Sequence, residues 1–358
     1  MKILFTFFNP SGGMETLNRI RSRALIERGY ECHLLYGVDG EGRKNIKGIS
    51  TFVTNEDEEI RRILARENYD VIIICTDIYL LQKIRGLGYR GKLIFEVQGL
   101  GTLETVHELL GIFDEHIRTH ADALLYPQTS HLKQLFQDTF PEIKQFCFDD
   151  PLDTERFGYL SYPPKSYRVI GWIGRIVINK NWKEFLYIGA QLLKYDPHLY
   201  LWLFEDDTLF EAAERAEYEV MVHTLKLSDR LISHSNVPHE LMADYLSIIG
   251  DSGGFLCSTS IMEGFGYAVA EAMLCRCPVL TTDSDGVRRF IHHNQTGKFY
   301  NRGDINHATQ EALSLMFDKN LRANIISSAE EHIKTNFSTS IYTQNFCGML
   351  TNLLHDRC

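Results

Sequence analysis

The chain has 358 residues, of which 44% are hydrophobic and 23% are charged, and its formal net charge is -10. This length exceeds the size at which a single hydrophobic core usually stops growing, so two domains are expected in an ordinary globular protein. The acidic balance argues against a general nucleic-acid binder, because neutralising phosphates requires a surplus of Lys and Arg. We therefore expect no nucleic-acid partner.

The start of the chain predicts a buried strand. Residues 2–8 form a short apolar run that ends in the polar turn Asn9–Gly13, which is typical of a first strand and not of a secretion signal. No run approaches the roughly 18 to 20 apolar residues of a membrane span. The eight cysteines are scattered without a CxxC pair, which favours reduced thiols. We expect a cytoplasmic protein, with membrane contact limited to peripheral association at the inner face.

Strands and helices alternate through the first half of the chain. The first strand and its glycine-bearing loop precede a predicted helix over residues 14–28, whose basic residues, Arg19 and Arg21 among them, are interpreted as a solvated face. A membrane-docking patch is the alternative for this basic face. The near-continuous apolar run Tyr69–Cys75 is typical of a strand buried on both faces of a parallel sheet. This alternation predicts an open parallel sheet with helices on both faces.

The alternation lapses between Asp149 and Ser166, where Pro163 and Pro164 follow each other, and it then restarts. We place the domain boundary in this segment, with one domain at residues 1–160 and the other at residues 161–337. The predicted fold class is therefore α/β, with two Rossmann-like, doubly wound domains that face a cleft.

The segment Ser258–Leu274 carries the strongest site signal in the chain. A short apolar run leads into a glycine-bearing turn, Glu263–Gly266, and then into a helix that contains Glu271. Such a unit can hold an anion at the helix N-terminus, with a carboxylate on either side to accept hydrogen bonds from hydroxyl groups. A sugar nucleotide has this chemical outline. Small and apolar residues surround Glu271, so its carboxylate is expected to have a functional partner.

Two further loops contain residues suited to phosphate. Gly12 and Gly13 follow the first strand but lack the GxGxxG spacing and the P-loop lysine, so a structural turn and a ligand loop are both left open. Arg175 and Lys180 follow the first strand of the second half, where Arg offers a fork of donors and Lys a point charge to a diphosphate. A solvated basic loop is the alternative for this pair.

Acidic and histidine clusters are candidate metal sites. Asp283 and Asp285 follow one strand and Glu205–Asp207 follows another, and such carboxylates could hold the cation that accompanies a nucleotide diphosphate. Turn and helix-capping roles explain the same residues. His116 and His120 are four residues apart but lack the glutamate of HExxH. We predict no metal site.

Together these segments resemble the GT-B glycosyltransferases, and among them the large retaining family called GT4, or glycosyl transferases group 1. Glu263–Gly266, Glu271-Ala-Met and Pro278-Val are similar to that family's EGFG, EAM and PV signature, with its two glutamates eight positions apart. Gly174-Arg175 with Lys180 is similar to the family's GR...K element. The resemblance implies the GT-B fold, with a C-terminal segment (338–358) that returns to the first domain.

The resemblance also implies roles for individual residues. Arg175 and Lys180 would contact the donor diphosphate and stabilise the departing nucleotide, and Glu263 would bind hydroxyls of the donor sugar. Glu271 would accept a hydrogen bond from the ribose. The remaining implied donor contacts are the backbone of Gly264, Phe265 and Gly266 at the helix start and the first-domain loop at Gly12 and Gly13.

Two positions depart from the family pattern. Gln98 stands where many members have a histidine after a strand of the first domain, and an amide can donate and accept hydrogen bonds but cannot carry charge. Asp285-Gly286, followed by Arg288 and Arg289, stands where the family usually has a Gly-Gly pair and then Pro-Glu. Gln98 is therefore an expected polar residue of the active site, and the donor-sugar contacts near Asp285 are expected to differ from those of relatives.

The resemblance predicts a retaining transferase that needs no cofactor and moves a hexosyl group from a UDP or GDP sugar to a hydroxyl acceptor. The acceptor would be a glycan, a lipid-linked molecule or a small molecule in cell-envelope, polysaccharide or glycoconjugate biosynthesis, with residues 1–160 as the acceptor domain and 161–337 as the donor domain. Three alternatives are a non-catalytic sugar-nucleotide-binding module, a GT-B epimerase or phosphorylase, and a metal-dependent GT-A enzyme that uses Asp283 and Asp285.

Overall fold

A computed structural model describes residues 1–99 and 103–355, with the side chains of 103–110, 131 and 355 outside the description. The chain divides into two compact units. Unit 1 comprises Met1–Pro151 with Phe337–Cys358, and unit 2 comprises Leu152–Asn336.

Unit 1 is built on a seven-stranded parallel sheet with the order β3-β2-β1-β4-β5-β6-β7. Its strands are β1 (Lys2–Phe7), β2 (Glu31–Tyr36), β3 (Ser50–Val53), β4 (Val71–Cys75), β5 (Lys92–Glu96), β6 (Ala123–Tyr126) and β7 (Lys144–Cys147). Its helices are α1 (Gly12–Ile26), α2 (Asp57–Glu67), α3 (Ile78–Gly86), α4 (Leu103–His120), α5 (Ser130–Thr139) and the C-terminal α12 (Thr339–His355).

Unit 2 is built on a six-stranded parallel sheet with the order β10-β9-β8-β11-β12-β13. Its strands are β8 (Val169–Ile173), β9 (Tyr200–Glu205), β10 (Leu231–Ser235), β11 (Phe255–Ser258), β12 (Val279–Thr282) and β13 (Lys298–Tyr300). Its helices are α6 (Trp182–Leu192), α7 (Ala212–Thr224), α8 (His239–Asp251), α9 (Tyr267–Leu274), α10 (Ile305–Phe317) and α11 (Lys319–Asn336).

Helices cover both faces of the first sheet, as strand β4 illustrates. Ile72 and Ile74 belong to one apolar cluster, whereas Val71 and Ile73 belong to the cluster on the opposite face, because successive side chains of a strand point to opposite sides. Helix α12 contributes Phe346 to the second of these clusters. The predicted class, α/β with two doubly wound parallel sheets, is confirmed. Among the helices in the described ranges, none combines the length and the hydropathy needed to cross a bilayer.

Three details differ from the sequence prediction. The division between the units falls after Pro151 instead of after residue 160, because the segment that follows packs within unit 2: the Leu160 N–H donates to Ser247 Oγ at 3.1 Å, and the Tyr159 hydroxyl donates to Asp251 at 3.2 Å. The start of α1 at Gly12 precedes the predicted start. Strand β7 was not predicted, because its four residues, KQFC, show little alternation of polarity.

The interpretation of the α1 arginines as a solvated face is wrong for Arg19 and Arg21, which are both buried. The Arg21 guanidinium donates to both oxygens of Glu96 at the end of β5, at 2.6 and 2.9 Å, and lies over the ring of Phe5. Burial by itself lowers the pKa of the Arg21 guanidinium. The negative charge of the adjacent Glu96 and its hydrogen bonds to Arg21 act in the opposite direction, and the pKa is raised overall. Arg19 pairs with Glu15 at 2.6 Å, one helical turn earlier. This helix face is therefore a charged interior surface.

Asp150 provides a test of this buried network through its ionisation. Burial, followed by the neighbouring Glu96, raises the pKa of the Asp150 carboxyl well above the usual value of about 3.9. A carboxyl with a higher pKa in the folded state binds its proton more tightly there, so the free energy of unfolding falls as the pH rises above about 4 and until the folded pKa is passed.

We predict that Asp150→Asn, which cannot ionise, gains stability relative to the wild type as the pH rises. Thermal denaturation at pH 5 and pH 8 measures this, and the difference in melting temperature should be larger at pH 8. The exposed Asp138→Asn serves as the control and should show no such trend. A difference for Asp150→Asn that does not change with pH would contradict the account.

Candidate functional site

The candidate site of unit 2 is formed by loops at the carboxyl ends of β8, β11 and β12, which are neighbours in the sheet. The direction of strand order reverses between β8 and β11, since the chain moves outward from β8 to β10 and then returns to the other side at β11. Crevices at such switch points are where open α/β sheets bind ligands. The predicted residues Arg175 and Glu263 lie in loops on either side of this point, and Lys180 ends a short 3-10 helix (Ile178–Lys180) in the connection after β8.

Hydrogen bonds join the loop after β8 to the loop after β11. The Asn179 side-chain amide donates to the carbonyl of Met262 at 3.0 Å and accepts from the Met262 N–H at 3.2 Å, while the Ile261 N–H donates to the Asn179 carbonyl at 2.8 Å. The Thr259 hydroxyl also donates to the carbonyl of Lys180 at 2.8 Å. The backbone that carries Lys180 is thereby held beside the backbone that carries Glu263.

The loop after β12 is joined to the same segment. The Glu263 N–H donates to the Ser284 carbonyl at 2.9 Å, and the Gly286 N–H donates to the Glu263 carbonyl at 3.1 Å. A Cβ atom on Gly286 would lie 2.4 Å from the carbonyl oxygen of Gly264, so this close approach requires glycine. Asp285 has a φ of +65°, which is uncommon for a non-glycine residue and persists only where the surroundings impose it.

This arrangement brings two of the predicted catalytic side chains into contact. Lys180 Nζ lies 2.5 Å from Glu263 Oε1, and the two side chains are about one-fifth exposed. Arg175 is exposed in the same loop as Lys180, and its guanidinium has no hydrogen-bond partner among the described residues. The site therefore offers a partly buried cation–carboxylate pair with an additional exposed cation beside it in sequence.

The glycine turn after Glu263 leads directly into α9. Gly266 has a φ of +92°, which favours glycine, and it is the N-cap of the helix. The Phe265 ring is buried against Phe290 at 4.8 Å, so only the backbone of Phe265 is available to a ligand. The N-terminus of α9 is the positive end of the helix dipole and therefore favours an anion. Because α9 begins at Tyr267, Glu271 lies little more than one turn inside it.

Glu271 is buried and contacts a histidine that the sequence analysis missed. His239 Nε2 lies 2.7 Å from Glu271 Oε1, and the ring of Phe157 packs on the imidazole with centroids 4.9 Å apart. His239 is the first residue of α8. The surroundings of Glu271 did indicate that it needs a partner, but no spacing rule connects residues 32 positions apart in two helices.

The acidic clusters are engaged by arginines. Arg288 donates to both oxygens of Asp283, at 2.6 and 2.9 Å, and reaches Asp285 at 3.3 Å. Arg215 binds Glu205 through two hydrogen bonds. One group in the described ranges, Glu31, His33 and Glu67 in unit 1, has the spacing of a three-ligand cation site. Lys2 Nζ lies 2.8 Å from Glu31 and 3.0 Å from Glu67, so an ammonium group already pairs with both carboxylates.

The other predicted site residues lie in unit 1. Gly12, with a φ of +55°, and Gly13 open helix α1 after β1, and a Cβ on Gly12 would meet no atom within 4 Å. Gln98 follows β5, and its amide nitrogen donates to Glu96 at 3.1 Å and to Asp150 at 3.0 Å. Gln98 Oε1 is buried and accepts no hydrogen bond from the described part of the chain. Gln98 is thus an extension of the Arg21–Glu96 network.

Sequence comparison identifies the family of unit 2. Residues 161–332 match the profile of the family described as Glycosyl transferases group 1. The chain is 23% identical over 188 residues to the capsular polysaccharide biosynthesis glycosyltransferase CapM of Staphylococcus aureus, a match that covers 52% of this chain and 47% of CapM. It is 25% identical over 140 residues to N-acetyl-alpha-D-glucosaminyl L-malate synthase of Bacillus anthracis, covering 38% of this chain and 34% of the synthase. The chain thus spans less than half the length of these curated relatives.

Solved structures share the fold of nearly the whole chain. Sucrose-phosphate synthase from Thermosynechococcus elongatus superposes with a TM-score of 0.82 over 99% of this chain and 100% of its own, at 16% identity. HepE of Anabaena, in complex with UDP-glucose, superposes with a TM-score of 0.82 over 98% of this chain and 100% of its own, at 18% identity. With the two parallel sheets, these likenesses show that the chain has the GT-B fold, and the domain at residues 161–332 matches the family of glycosyl transferases group 1.

Proposed function

We propose that the protein is a retaining glycosyltransferase of GT4 type that moves a hexosyl group from a nucleoside-diphosphate sugar to a hydroxyl acceptor. The observation that carries the proposal is the contact between Lys180 and Glu263 at the switch point of the second sheet, directly before the glycine turn that opens α9. This contact joins a group suited to phosphate with a group suited to sugar hydroxyls.

The diphosphate is assigned to the cationic side of the site. Arg175 is exposed and can approach a phosphate with a fork of donors, whereas Lys180 can exchange its carboxylate partner for a phosphate oxygen. The N-terminus of α9, next to Gly264–Gly266, adds a favourable helix dipole for the same anion. These groups stabilise the negative charge that develops on the departing nucleotide.

The sugar and the ribose are assigned to the two glutamates. Once Lys180 has turned to the phosphate, the carboxylate of Glu263 accepts hydrogen bonds from hydroxyls of the donor sugar. Glu271, on the other side of the helix start, accepts from the ribose. The roles of Gly12, Gly13 and Gln98, which lie in unit 1, stay predictions from the family resemblance.

In the proposed reaction the acceptor oxygen bonds to the anomeric carbon on the face from which the nucleotide leaves. The bond between that carbon and the phosphate oxygen breaks, and the leaving phosphate takes the proton of the acceptor hydroxyl. Neither a protein nucleophile nor a metal is needed, so turnover should be undiminished in a chelator. Asp283 and Asp285, the ligands of the metal-dependent alternative, are already paired with Arg288.

The comparisons support a UDP sugar as the donor. HepE is described in complex with UDP-glucose, and TarM of Staphylococcus aureus, at 11% identity and a TM-score of 0.75 over 97% of this chain, is described in complex with UDP and alpha-GlcNAc-glycerol. Three curated relatives are named as a capsular polysaccharide biosynthesis glycosyltransferase, a poly(ribitol-phosphate) alpha-N-acetylglucosaminyltransferase and an N-acetyl-alpha-D-glucosaminyl L-malate synthase. We therefore place the reaction in polysaccharide or glycoconjugate synthesis in the cytoplasm, with peripheral association at the membrane when the acceptor is lipid-linked.

Replacing Lys180 and replacing Glu263 should have different effects on nucleotide binding. Because Lys180 is assigned to the diphosphate, Lys180→Ala should weaken the binding of the free nucleoside diphosphate and lower turnover by about 10²–10³-fold. Because Glu263 is assigned to the sugar, Glu263→Ala should lower turnover similarly but leave the binding of the free nucleoside diphosphate intact or stronger. Calorimetric titration with UDP and GDP, and release of the nucleotide from the matching sugar donor, measure these two quantities.

Lys183→Ala is the matched control, because Lys183 lies three residues away and pairs with the exposed Glu217 at 2.7 Å. Wild-type turnover in either site variant would refute the assigned roles. Nucleotide binding by the wild type without transfer to any acceptor would favour the sugar-nucleotide-binding module instead.

Gly286 tests whether the spacing of the loops matters. A methyl group at this position would press on the carbonyls of Gly264 and Glu263 at 2.4 and 2.7 Å and move the two loops apart. We predict that Gly286→Ala lowers turnover by about 10²-fold, as expected for a displacement of about 1 Å at a reacting centre, and costs about 1–3 kcal/mol of stability. Gly348→Ala, where a Cβ meets no atom within 4 Å, is the control. Turnover equal to that of the control would contradict the role of the loop contact.

A further inference from the structure

The contact between His239 and Glu271 assigns a role to a residue outside the predicted site. The Glu271 carboxylate is 9% exposed and the His239 imidazole 16%, and His239 Nε2 lies 2.7 Å from Glu271 Oε1. A carboxylate this buried requires a hydrogen-bond partner, because burial of an unpaired charge is costly. Among the described residues, only His239 meets this carboxylate, and it uses one of the two oxygens.

The orientation of the imidazole is fixed from two directions. His239 is the first residue of α8, and α8 packs against α9, the helix that carries Glu271. The ring of Phe157 packs on the imidazole with a centroid distance of 4.9 Å and an interplanar angle of 34°. A ring held between an aromatic side chain and a carboxylate has little freedom to turn. The Glu271 carboxylate is therefore held in one orientation, with Oε2 left to accept from another donor.

We propose that His239 is a positioning residue for ribose recognition: it holds Oε1 of Glu271 so that Oε2 accepts a hydrogen bond from a ribose hydroxyl of the bound nucleotide. This inference rests on the proposed function, because it takes Glu271 to face the ribose of the donor. It goes beyond the proposed function by assigning the preference for a nucleotide with ribose hydroxyls to Glu271 and His239 together. A site built to accept from a hydroxyl discriminates strongly against an analogue that lacks it, since its own polar group is then left unpaired.

The test compares UDP with 2′,3′-dideoxy-UDP by isothermal titration calorimetry. A hydrogen bond to a charged group contributes about 1.5–3 kcal/mol, so the wild type should bind UDP at least about tenfold more tightly than the dideoxy compound. His239→Ala should lose most of this preference by weakening the binding of UDP, while the binding of dideoxy-UDP stays the same. If His239 only packed against its neighbours, the substitution would weaken the binding of UDP and of dideoxy-UDP equally.

Two further variants make the result specific to the pair. His239→Gln, whose amide nitrogen can reach the same carboxylate oxygen, should regain most of the ribose preference. In a Glu271→Ala background, adding His239→Ala should change nothing more, because the histidine acts through the carboxylate. His223→Ala, at an exposed histidine of α7 in the same unit, is the control and should keep the wild-type preference.

The outcomes separate this inference from the proposed function. Equal weakening of both ligands by His239→Ala, or an unchanged ribose preference, would overturn the positioning role and leave the proposed function standing. A wild type that binds none of UDP, GDP and ADP would overturn the proposed function, and this inference with it. Melting temperatures of all variants show whether each one is folded under the conditions of the titration.

Discussion

The hydrogen bonds that join three loops at the carboxyl edge of the second sheet are the constraint on which the site depends. Through them the loops after β8 and β12 are both attached to the segment Thr259–Gly264 after β11. Because each of these hydrogen bonds engages at least one main-chain group, they fix where the backbones of Lys180 and Glu263 lie. The conformational entropy of these loops is therefore lost during folding and not during binding. Such a site is preorganised for its ligand.

The same constraint accounts for the state of the two charged side chains. Lys180 and Glu263 neutralise each other, and an ion pair with a solvent-accessible side contributes on the order of 1 kcal/mol or less. A doubly charged diphosphate can replace the carboxylate at small cost, and the released carboxylate is then free for hydroxyl groups. Glu271 is in a different position, because it is buried and its partner His239 is held by Phe157. We therefore assign to Glu263 a carboxylate that changes partner when the donor binds, and to Glu271 a carboxylate that keeps one orientation.

The sequence was sufficient for features that depend on local pattern. Buried strands such as Tyr69–Cys75, and the strand, turn and helix around Glu263, follow from periodicity and glycine positions, and they led to the confirmed fold class. It was insufficient where the deciding contact joins distant residues. The burial of Arg21 depends on Glu96, 75 positions away, and the partner of Glu271 lies 32 positions away on another helix. A basic residue on an amphipathic helix, or a histidine at a helix start, gives no local sign of such a partner.

Hydrogen–deuterium exchange with and without UDP-glucose tests the central claim most directly, because it reports which backbone segments a donor orders without presupposing the acceptor. The account predicts added protection in two segments of unit 2, the loop at residues 174–181 and the turn and helix start at residues 259–270, with smaller changes at the start of α8. Donor binding that leaves both segments unchanged, with protection confined to other parts of the chain, would contradict it.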